Sequence, residues 1–288
     1  MNSSISIITP SFNQGKYIEA TIQSVISQNY EALEYFVLDG GSTDNTCQIL
    51  KNYESIFTGW RSEKDEGQAA AINEGFALAT GEILGWLNSD DFYLPQTLDF
   101  VNTQLDTGKP QILIGNGINF FEDKEICWAS SVCAESKMYN LNLCDFIIQP
   151  STFWTKKAWN LVGTLNTEFN YAFDWDWFIR AKNKGVDFIF SQRYLSCYRY
   201  HGEHKSSTGD FKRADELISI ISTYNGAAYE KAALKIKKIV KSQFYQSRYF
   251  PYYKKLCRNR PNAYLGILNP SLIKFPPMDI FSMEKMML

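Results

Sequence analysis

Short apolar runs alternate along this chain with longer segments whose apolar positions recur every three or four residues. Residues 5–9 form a β-branched apolar run ended by Pro10, which predicts a buried strand. Residues 17–27 carry apolar side chains at 18, 22, 25 and 26, one face of a helix. Residues 33–38 predict a second buried strand, closed by Asp39-Gly40-Gly41. Ser42 or Thr43 can then cap a helix over about 44–53. A weaker strand at 58–62, an alanine-rich helix at 67–79 and a buried strand at 82–87 complete a β-α-β-α-β-α-β order. That order predicts an α/β, doubly wound, mostly parallel sheet. In such sheets ligands sit beyond the carboxyl ends of the strands.

The pattern changes after a further strand at 111–117. Residues 118–132 read as an irregular hairpin, 155–161 and 174–184 as helices, 163–173 as a loop and 186–200 mainly as strand. Helical patterning resumes at 211–249 as two or three helices. The expected organisation is a domain over 1–208, with a nucleotide-binding half at 1–117 and a second half at 118–208. A helical, basic region at 209–288 follows.

The most informative stretch runs from Gly81 through Leu87-Asn88-Ser89-Asp90-Asp91 to Pro95, which is expected to open the next helix. An apolar strand delivers two adjacent carboxylates into a loop. Such a pair repels, so a positive partner is expected. A hard divalent cation carrying a phosphate meets that need, and a solvated helix-capping turn is the alternative.

Composition narrows the class. The chain has 288 residues, 45% apolar and 21% charged, as in soluble globular proteins. The N-terminus lacks a basic segment followed by an apolar one, and no run reaches the roughly 18 apolar residues of a membrane span. Six cysteines without a C-x-x-C pair predict free thiols in a reducing cytoplasm and no zinc site. Both histidines, His201 and His204, lie outside the H-E-x-x-H spacing.

Charge is segregated. Residues 1–230 carry a net charge of −12, whereas 231–274 hold eleven Lys or Arg and no acid. Lys231, Lys235, Lys237, Lys238 and Lys241 fall at helical spacing, and an aromatic, basic stretch from Arg248 to Arg260 follows. Such a tail suits the anionic inner face of a membrane, packing on the acidic body, or a contact between copies in a homo-oligomer. No nucleic-acid recognition motif accompanies it.

Taken together, several strings resemble the family 2 inverting glycosyltransferases of GT-A fold. They are Ile7-Ile8-Thr9-Pro10-Ser11-Phe12-Asn13, Leu38-Asp39-Gly40-Gly41-Ser42-Thr43-Asp44, Glu63-Lys64-Asp65-Glu66-Gly67-Gln68, Ala71-Ile72-Asn73-Glu74-Gly75, Ala79-Thr80-Gly81-Glu82 and Leu87-Asn88-Ser89-Asp90-Asp91. The resemblance covers about 5–206. It implies a hexosyl- or N-acetylhexosaminyltransferase using a nucleotide-diphosphate sugar, with UDP the common nucleotide. The acceptor would be a glycan or lipid-linked glycan of a bacterial surface polysaccharide, made in the cytoplasm or peripherally on the membrane's inner face.

The resemblance also implies roles. Thr9, Pro10 and Ser11 would line the nucleoside pocket, and Asp39 would accept from base or ribose. Asp65, Gly67 and Gln68 would flank base and phosphates, with Asn73 supporting that loop. Asn88-Ser89-Asp90 stands where the family has Asp-x-Asp, so Asp90 is the expected ligand of Mn²⁺ or Mg²⁺. Asp91 is its neighbour or second ligand. Asn88 removes a charge from the usual motif.

Asp174, in Asp174-Trp175-Asp176-Trp177, matches the family's general base, and Asp176 is the runner-up. One base suffices for single-step inversion, and no carboxylate nucleophile is needed. Trp175 or Trp177 could stack on a sugar or pack in the core. Arg199 and His201 resemble the family's Arg-x-His near metal and diphosphate, with Lys205 a further phosphate candidate. A sugar-nucleotidyltransferase is the main rival, but its glycine-rich loop is not matched by Ser11-Phe12-Asn13-Gln14-Gly15-Lys16. A non-catalytic sugar-nucleotide binder is the other.

Overall fold

The structure, a computed structural model, describes residues 2–122, 126–202, 210–242, 269–272 and 274–287. His204, Lys205, the boundary expected at 206–210, and the Arg248–Arg260 stretch lie outside the described residues or at their edge.

The chain divides into two compact units, Met1–Cys133 with Ile147–His204, and Ala134–Phe146 with Lys205–Leu288. The first unit holds a nine-stranded sheet. Strands β1 (Ile5–Ser11), β2 (Leu33–Asp39), β3 (Gly59–Ser62) and β4 (Ile83–Trp86) pair in parallel in the order β3-β2-β1-β4. Helices α1 (Ile18–Ile26), α2 (Thr46–Asn52) and α3 (Gln68–Leu78) connect them. Ile5, Ile7, Val37, Ile83, Ile18, Ile22 and Val25 are buried in one core cluster, which explains the apolar runs. The carboxyl ends of β1 and β2 lie side by side, Ser11 opposite Asp39.

The expectation of a mostly parallel sheet holds over those four strands, and beyond β4 the sheet is mixed. A two-residue strand, β5 (Phe92–Tyr93), precedes α4 (Thr97–Gln104), β6 (Gln111–Phe121), β7 (Ile126–Ala129) and α5 (Val132–Met138). Then come β8 (Thr152–Thr155), α6 (Lys156–Val162), α7 (Phe173–Asn183) and β9 (Asp187–Tyr200). β8 runs antiparallel to both β4 and β6, β9 parallel to β6, and β5 antiparallel to β9. The irregular hairpin expected at 118–132 is the β6–β7 pair.

Pro95 does not open α4. Gln96 turns left-handed at φ 61°, and Gln28 Oε1 caps the helix by accepting from the Thr97 N–H at 2.8 Å.

The second unit contains α8 (Asp210–Asn225), α9 (Ala227–Val240) and α10 (Pro277–Met287), with a left-handed Gly226 (φ 82°) between α8 and α9. A boundary at 208/209 misses one part of it, because residues 134–146 belong to this helical unit. The Asn225 side chain donates to the Asn142 carbonyl at 3.0 Å, and Lys285 pairs with Glu135 at 2.9 Å. Leu141, Leu143 and Cys144 of this segment are buried. No helix among the described residues is long and apolar enough to cross a membrane, and no disulfide joins the five described cysteines.

At the amino ends of the parallel strands, Glu34 gathers the Ala79-Thr80-Gly81 turn. Its carboxylate accepts from Ser6 Oγ (2.6 Å), Thr80 N (2.8 Å), Gly81 N (3.2 Å) and Thr80 Oγ1. Burial alone would raise the Glu34 pKa, but these bonds outweigh it and hold the group below its ordinary value. A carboxyl lowered by folding stabilises the fold above its unfolded pKa, and that contribution is lost as pH falls through the folded one. Glu34→Gln should therefore lower stability by about 1–3 kcal/mol at pH 7. In urea unfolding, the gap to the parent should narrow as pH drops below the usual carboxylate range. A gap that is pH-independent would contradict this assignment.

Candidate active site

The loops after β1 and β2 interlock at the carboxyl edge of the sheet. Asn13 N–H donates to Ser42 Oγ, Gln14 N–H to Thr46 Oγ1 and Gly15 N–H to Asp44 Oδ2, at 2.7 to 2.9 Å. The loops pack closely here, and a β-carbon on Gly15 would displace the Asn45 side chain, whose Oδ1 would stand 1.8 Å away. Thr9 is buried against the Tyr35 hydroxyl at 3.1 Å. Ser11 Oγ is buried at the end of β1 and has no hydrogen-bond partner among the described residues. Such orphaned groups are rare unless they serve a ligand or water.

Asp39 faces its own loop. The buried carboxylate accepts from Ser42 N (2.8 Å), Ser42 Oγ (2.6 Å), Ser62 Oγ (2.7 Å) and Gly41 N (3.2 Å). In this arrangement it shapes the loop at the carboxyl end of β2. Asp65 lies against the same turn. It accepts from Gly67 N at 2.9 Å, and a β-carbon on Gly40 would stand 3.2 Å from its Oδ2. Arg61, which sequence reasoning passed over, organises this corner. Its guanidinium meets Glu74, the Asp39 carbonyl (2.8 Å) and Asp65 (3.6 Å).

The loop after β4 joins three further elements. Gln68 Nε2, at the start of α3, donates to Asn88 Oδ1 at 2.9 Å. Asn88 Nδ2 points to Asp91 Oδ2 at 3.4 Å, and Ser89 is buried. Asp91 is 1% exposed, accepts from the Arg199 N–H at 2.9 Å through Oδ1, and takes Thr21 Oγ1 on its carbonyl at 2.7 Å. Burial first, and the Asp90 charge second, push its pKa well above the carboxylate range. Asp91 is thus held from within the protein, its carboxylate accepting from the Arg199 N–H and facing Asn88.

Asp90 differs. Its side chain is 19% exposed, and its Oδ2 lies 3.0 Å from Nε2 of buried His201.

Arg199 joins the same cluster. Its Nε donates to the Asp90 carbonyl at 2.9 Å, its Nη1 lies 3.4 Å from Glu122 Oε1, and the guanidinium stacks over Tyr17 at 5.1 Å. The group clamps the aspartate loop to β9. Lys16, Tyr17 and Glu122 complete the cluster. Lys16 Nζ pairs with Glu122 at 2.9 Å, and the Tyr17 ring lies 4.4 Å from that of His201. Sequence reasoning treated Tyr17 only as a helix start. The need of Arg199 for a counter-ion was the one available signal for Glu122.

The two candidate bases separate cleanly. Asp176 is buried and paired with Arg180 at 2.8 Å, which itself holds the Val162 and Thr164 carbonyls. Asp174 is half-buried in the first turn of α7 and accepts from Trp175 N at 2.8 Å. Two contacts bring this turn to the carboxyl end of β4. The Phe173 ring lies 6.2 Å from that of Trp86, and Asn73 on α3 holds Leu165 by both backbone groups at 2.9 and 3.0 Å. Trp175 and Trp177 have no exposed surface and belong to the core.

The loops beyond the carboxyl ends of β1, β2 and β4, with Asp174 at the start of α7, define the candidate site, and the chain can be compared with known proteins. The model of glycosyl transferase family 2 matches residues 6–158, so the chain belongs to that family. Chondroitin synthase of Escherichia coli is 27% identical over 221 residues, 70% of this chain and 30% of that protein. The teichuronic acid biosynthesis glycosyltransferase TuaG of Bacillus subtilis, itself a putative assignment, is 37% identical over 98 residues, 33% of this chain and 39% of that one. The chain thus spans less than half the length of these curated relatives.

Among solved structures, S. aureus TarS 1–349 with UDP-GlcNAc superposes with a TM-score of 0.59 at 15% identity, covering 95% of this chain and 76% of that one. The mannosyltransferase PcManGT from Pyrobaculum calidifontis, with GDP-Man and Mn²⁺, gives 0.62 at 16%, covering 100% and 85%. The fold is GT-A.

The clamp assigned to Arg199 makes a prediction without any ligand. Arg199→Lys keeps the charge but loses the Nε bond and the planar stack, so the ligand-free protein should lose about 1–3 kcal/mol in denaturant unfolding. An unchanged midpoint would show that Arg199 has no structural task.

Proposed function

We propose that this chain is a metal-dependent, inverting glycosyltransferase. It moves a sugar from a nucleotide-diphosphate sugar, UDP being the favoured nucleotide, to a hydroxyl of a glycan or lipid-linked glycan acceptor in bacterial surface-polysaccharide synthesis. The observation that carries this reading is the Asp90–His201 pair, 3.0 Å apart beyond the carboxyl end of β4. The orphaned Ser11 Oγ at the end of β1 supports a nucleoside beside it.

A partly exposed carboxylate oxygen and an imidazole nitrogen suit Mn²⁺ or Mg²⁺ completed by diphosphate oxygens and water. Asp90 and His201 would hold the ion, which supplies charge neutralisation for the leaving diphosphate. Among the described residues no group of three or more acidic, His or Cys side chains forms a complete metal cage, so the donor would contribute ligands. The rest falls to the protein. Asn88 and Gln68 set the loop, Asp65 and Gly67 border the phosphate side, and Asp174 takes the proton of the attacking hydroxyl. Asp176 orients α7 through Arg180 and takes no proton.

Neither rival has comparable support. The loop after β1 is tied down by Ser42, Asp44 and Thr46, unlike a glycine-rich phosphate cradle.

Asp174→Asn should lower transfer by about 10²–10⁴-fold, the usual range for losing a general base, while UDP affinity by calorimetry stays unchanged. Transfer at the parent rate would refute the base assignment.

The reading extends to an anionic membrane surface. Lys231, Lys235, Lys238 and Lys274 line a cavity of about 460 Å³ floored by Ala232 and Phe275, and no carboxylate lines it among the described residues. Acidic lipid headgroups complement such a cluster. The full chain should float with phosphatidylglycerol liposomes, and Lys231→Glu with Lys238→Glu should abolish flotation. Equal flotation, or none in the parent, would remove the membrane from the account.

A further inference from the structure

Tyr17 stands at the start of α1, a position that ordinarily carries a small polar capping group, yet its side chain makes no capping bond. It is 6% exposed, and its ring is the meeting point of the cluster beside the aspartate loop. The hydroxyl donates to Glu122 Oε2 at 3.1 Å and accepts from Lys16 Nζ at 3.0 Å. The backbone N–H donates to the Gln14 carbonyl at 2.9 Å, and the Gln14 N–H is in turn held by Thr46. The residue is thus anchored both at its backbone and at the tip of its side chain.

The ring held in this way bears on His201. The two ring centres lie 4.4 Å apart with planes inclined by 38°, and the His201 side chain is 2% exposed. Arg199 and Lys16 place their charges over the same tyrosine ring, at 5.1 and 4.8 Å, an arrangement that favours a fixed ring. A hydrogen bond at one ring atom lets an imidazole pivot about that bond, and packing against a flat ring removes the pivot. His201 has both kinds of contact, Nε2 with Asp90 Oδ2 at 3.0 Å and its ring with Tyr17.

We infer that Tyr17 is a positioning residue for His201, holding the imidazole at the angle from which Nε2 serves a divalent cation together with Asp90. The inference rests on the metal-dependent reading. Tyr17 acts through His201 and is not a catalytic residue. Partners that orient a metal-binding histidine commonly affect metal affinity by about 10–100-fold. The placement also gives the loop after β1 two tasks. Ser11 at its start borders the proposed nucleoside, and Tyr17 at its end shapes the metal side. The role belongs to the ring, because the contact with His201 is ring to ring, while the hydroxyl serves as an anchor.

The test adds Mn²⁺ and UDP to the full chain and reads nitrogen coupling to the ion by electron spin echo envelope modulation, with Mn²⁺ affinity measured in parallel. The parent should show coupling from a histidine nitrogen, and His201→Gln should remove it. Tyr17→Leu, which lacks a flat ring, should weaken Mn²⁺ binding about tenfold or more and lose the nitrogen coupling. Tyr17→Phe should keep both. Should the leucine variant fail to fold, Tyr17→Met carries the same expectation. A purely structural Tyr17 would lower the unfolding midpoint of Tyr17→Leu and leave the coupling of the folded protein intact, and that result overturns the inference. Coupling lost in Tyr17→Phe assigns the effect to the hydroxyl and overturns it too, as does a parent that binds Mn²⁺ without histidine coupling. A parent that binds no Mn²⁺ with UDP present instead sinks the metal-dependent reading beneath it.

Discussion

Two carboxylates on adjacent residues cannot both be buried as anions, and the candidate site is built around that constraint. Repulsion at such a distance costs several kilocalories in a low-dielectric setting, so the pair must be divided. The protein divides it by direction. Asp91 turns into the core, where the Arg199 N–H and Asn88 receive it, and Asp90 stays at the surface beside His201. The Asp91 carbonyl takes Thr21 on α1, and the Asp90 carbonyl takes the Arg199 side chain on β9. One buried carboxylate and two carbonyls thereby tie the loop after β4 to α1 and β9.

The second half of the site depends on packing. Trp86, the last residue of β4, touches Phe173, the first residue of α7, and Asn73 clasps the loop leading to that helix. A cluster of buried tryptophans backs this contact, with Trp154 and Trp177 4.9 Å apart. Rigid support of this kind is what positional catalysis requires. It also explains why so many large aromatics in this chain are fully buried.

The parallel half of the fold was legible because each strand is an apolar run and each helix keeps its period. The mixed half was harder. β5 is two residues long, too short for a pattern, and α4 is capped by Gln28, a residue distant in sequence. The site was legible as a set of residues but not as a set of roles. The motif position favoured Asp90 over Asp91, and the structure adds the burial of Asp91 and its bond from the Arg199 N–H, 108 residues on. Arg199 read as a phosphate ligand because its motif precedes a histidine, yet Glu122 and the Asp90 carbonyl engage it. Asp39 read as a ligand of base or ribose through the resemblance of its Asp-Gly-Gly-Ser string, and in the structure its carboxylate accepts from its own loop. Asp176 and the core tryptophans were separable from Asp174 only by burial.

The division of the aspartate pair is most directly tested by titrating Mn²⁺ into the protein with UDP present, reading the ion by electron paramagnetic resonance. Asp90→Asn should lose most of the bound Mn²⁺. Asp91→Asn, which can still accept from Arg199, should retain it. Mn²⁺ binding that survives Asp90→Asn and disappears in a folded Asp91→Asn would contradict the account.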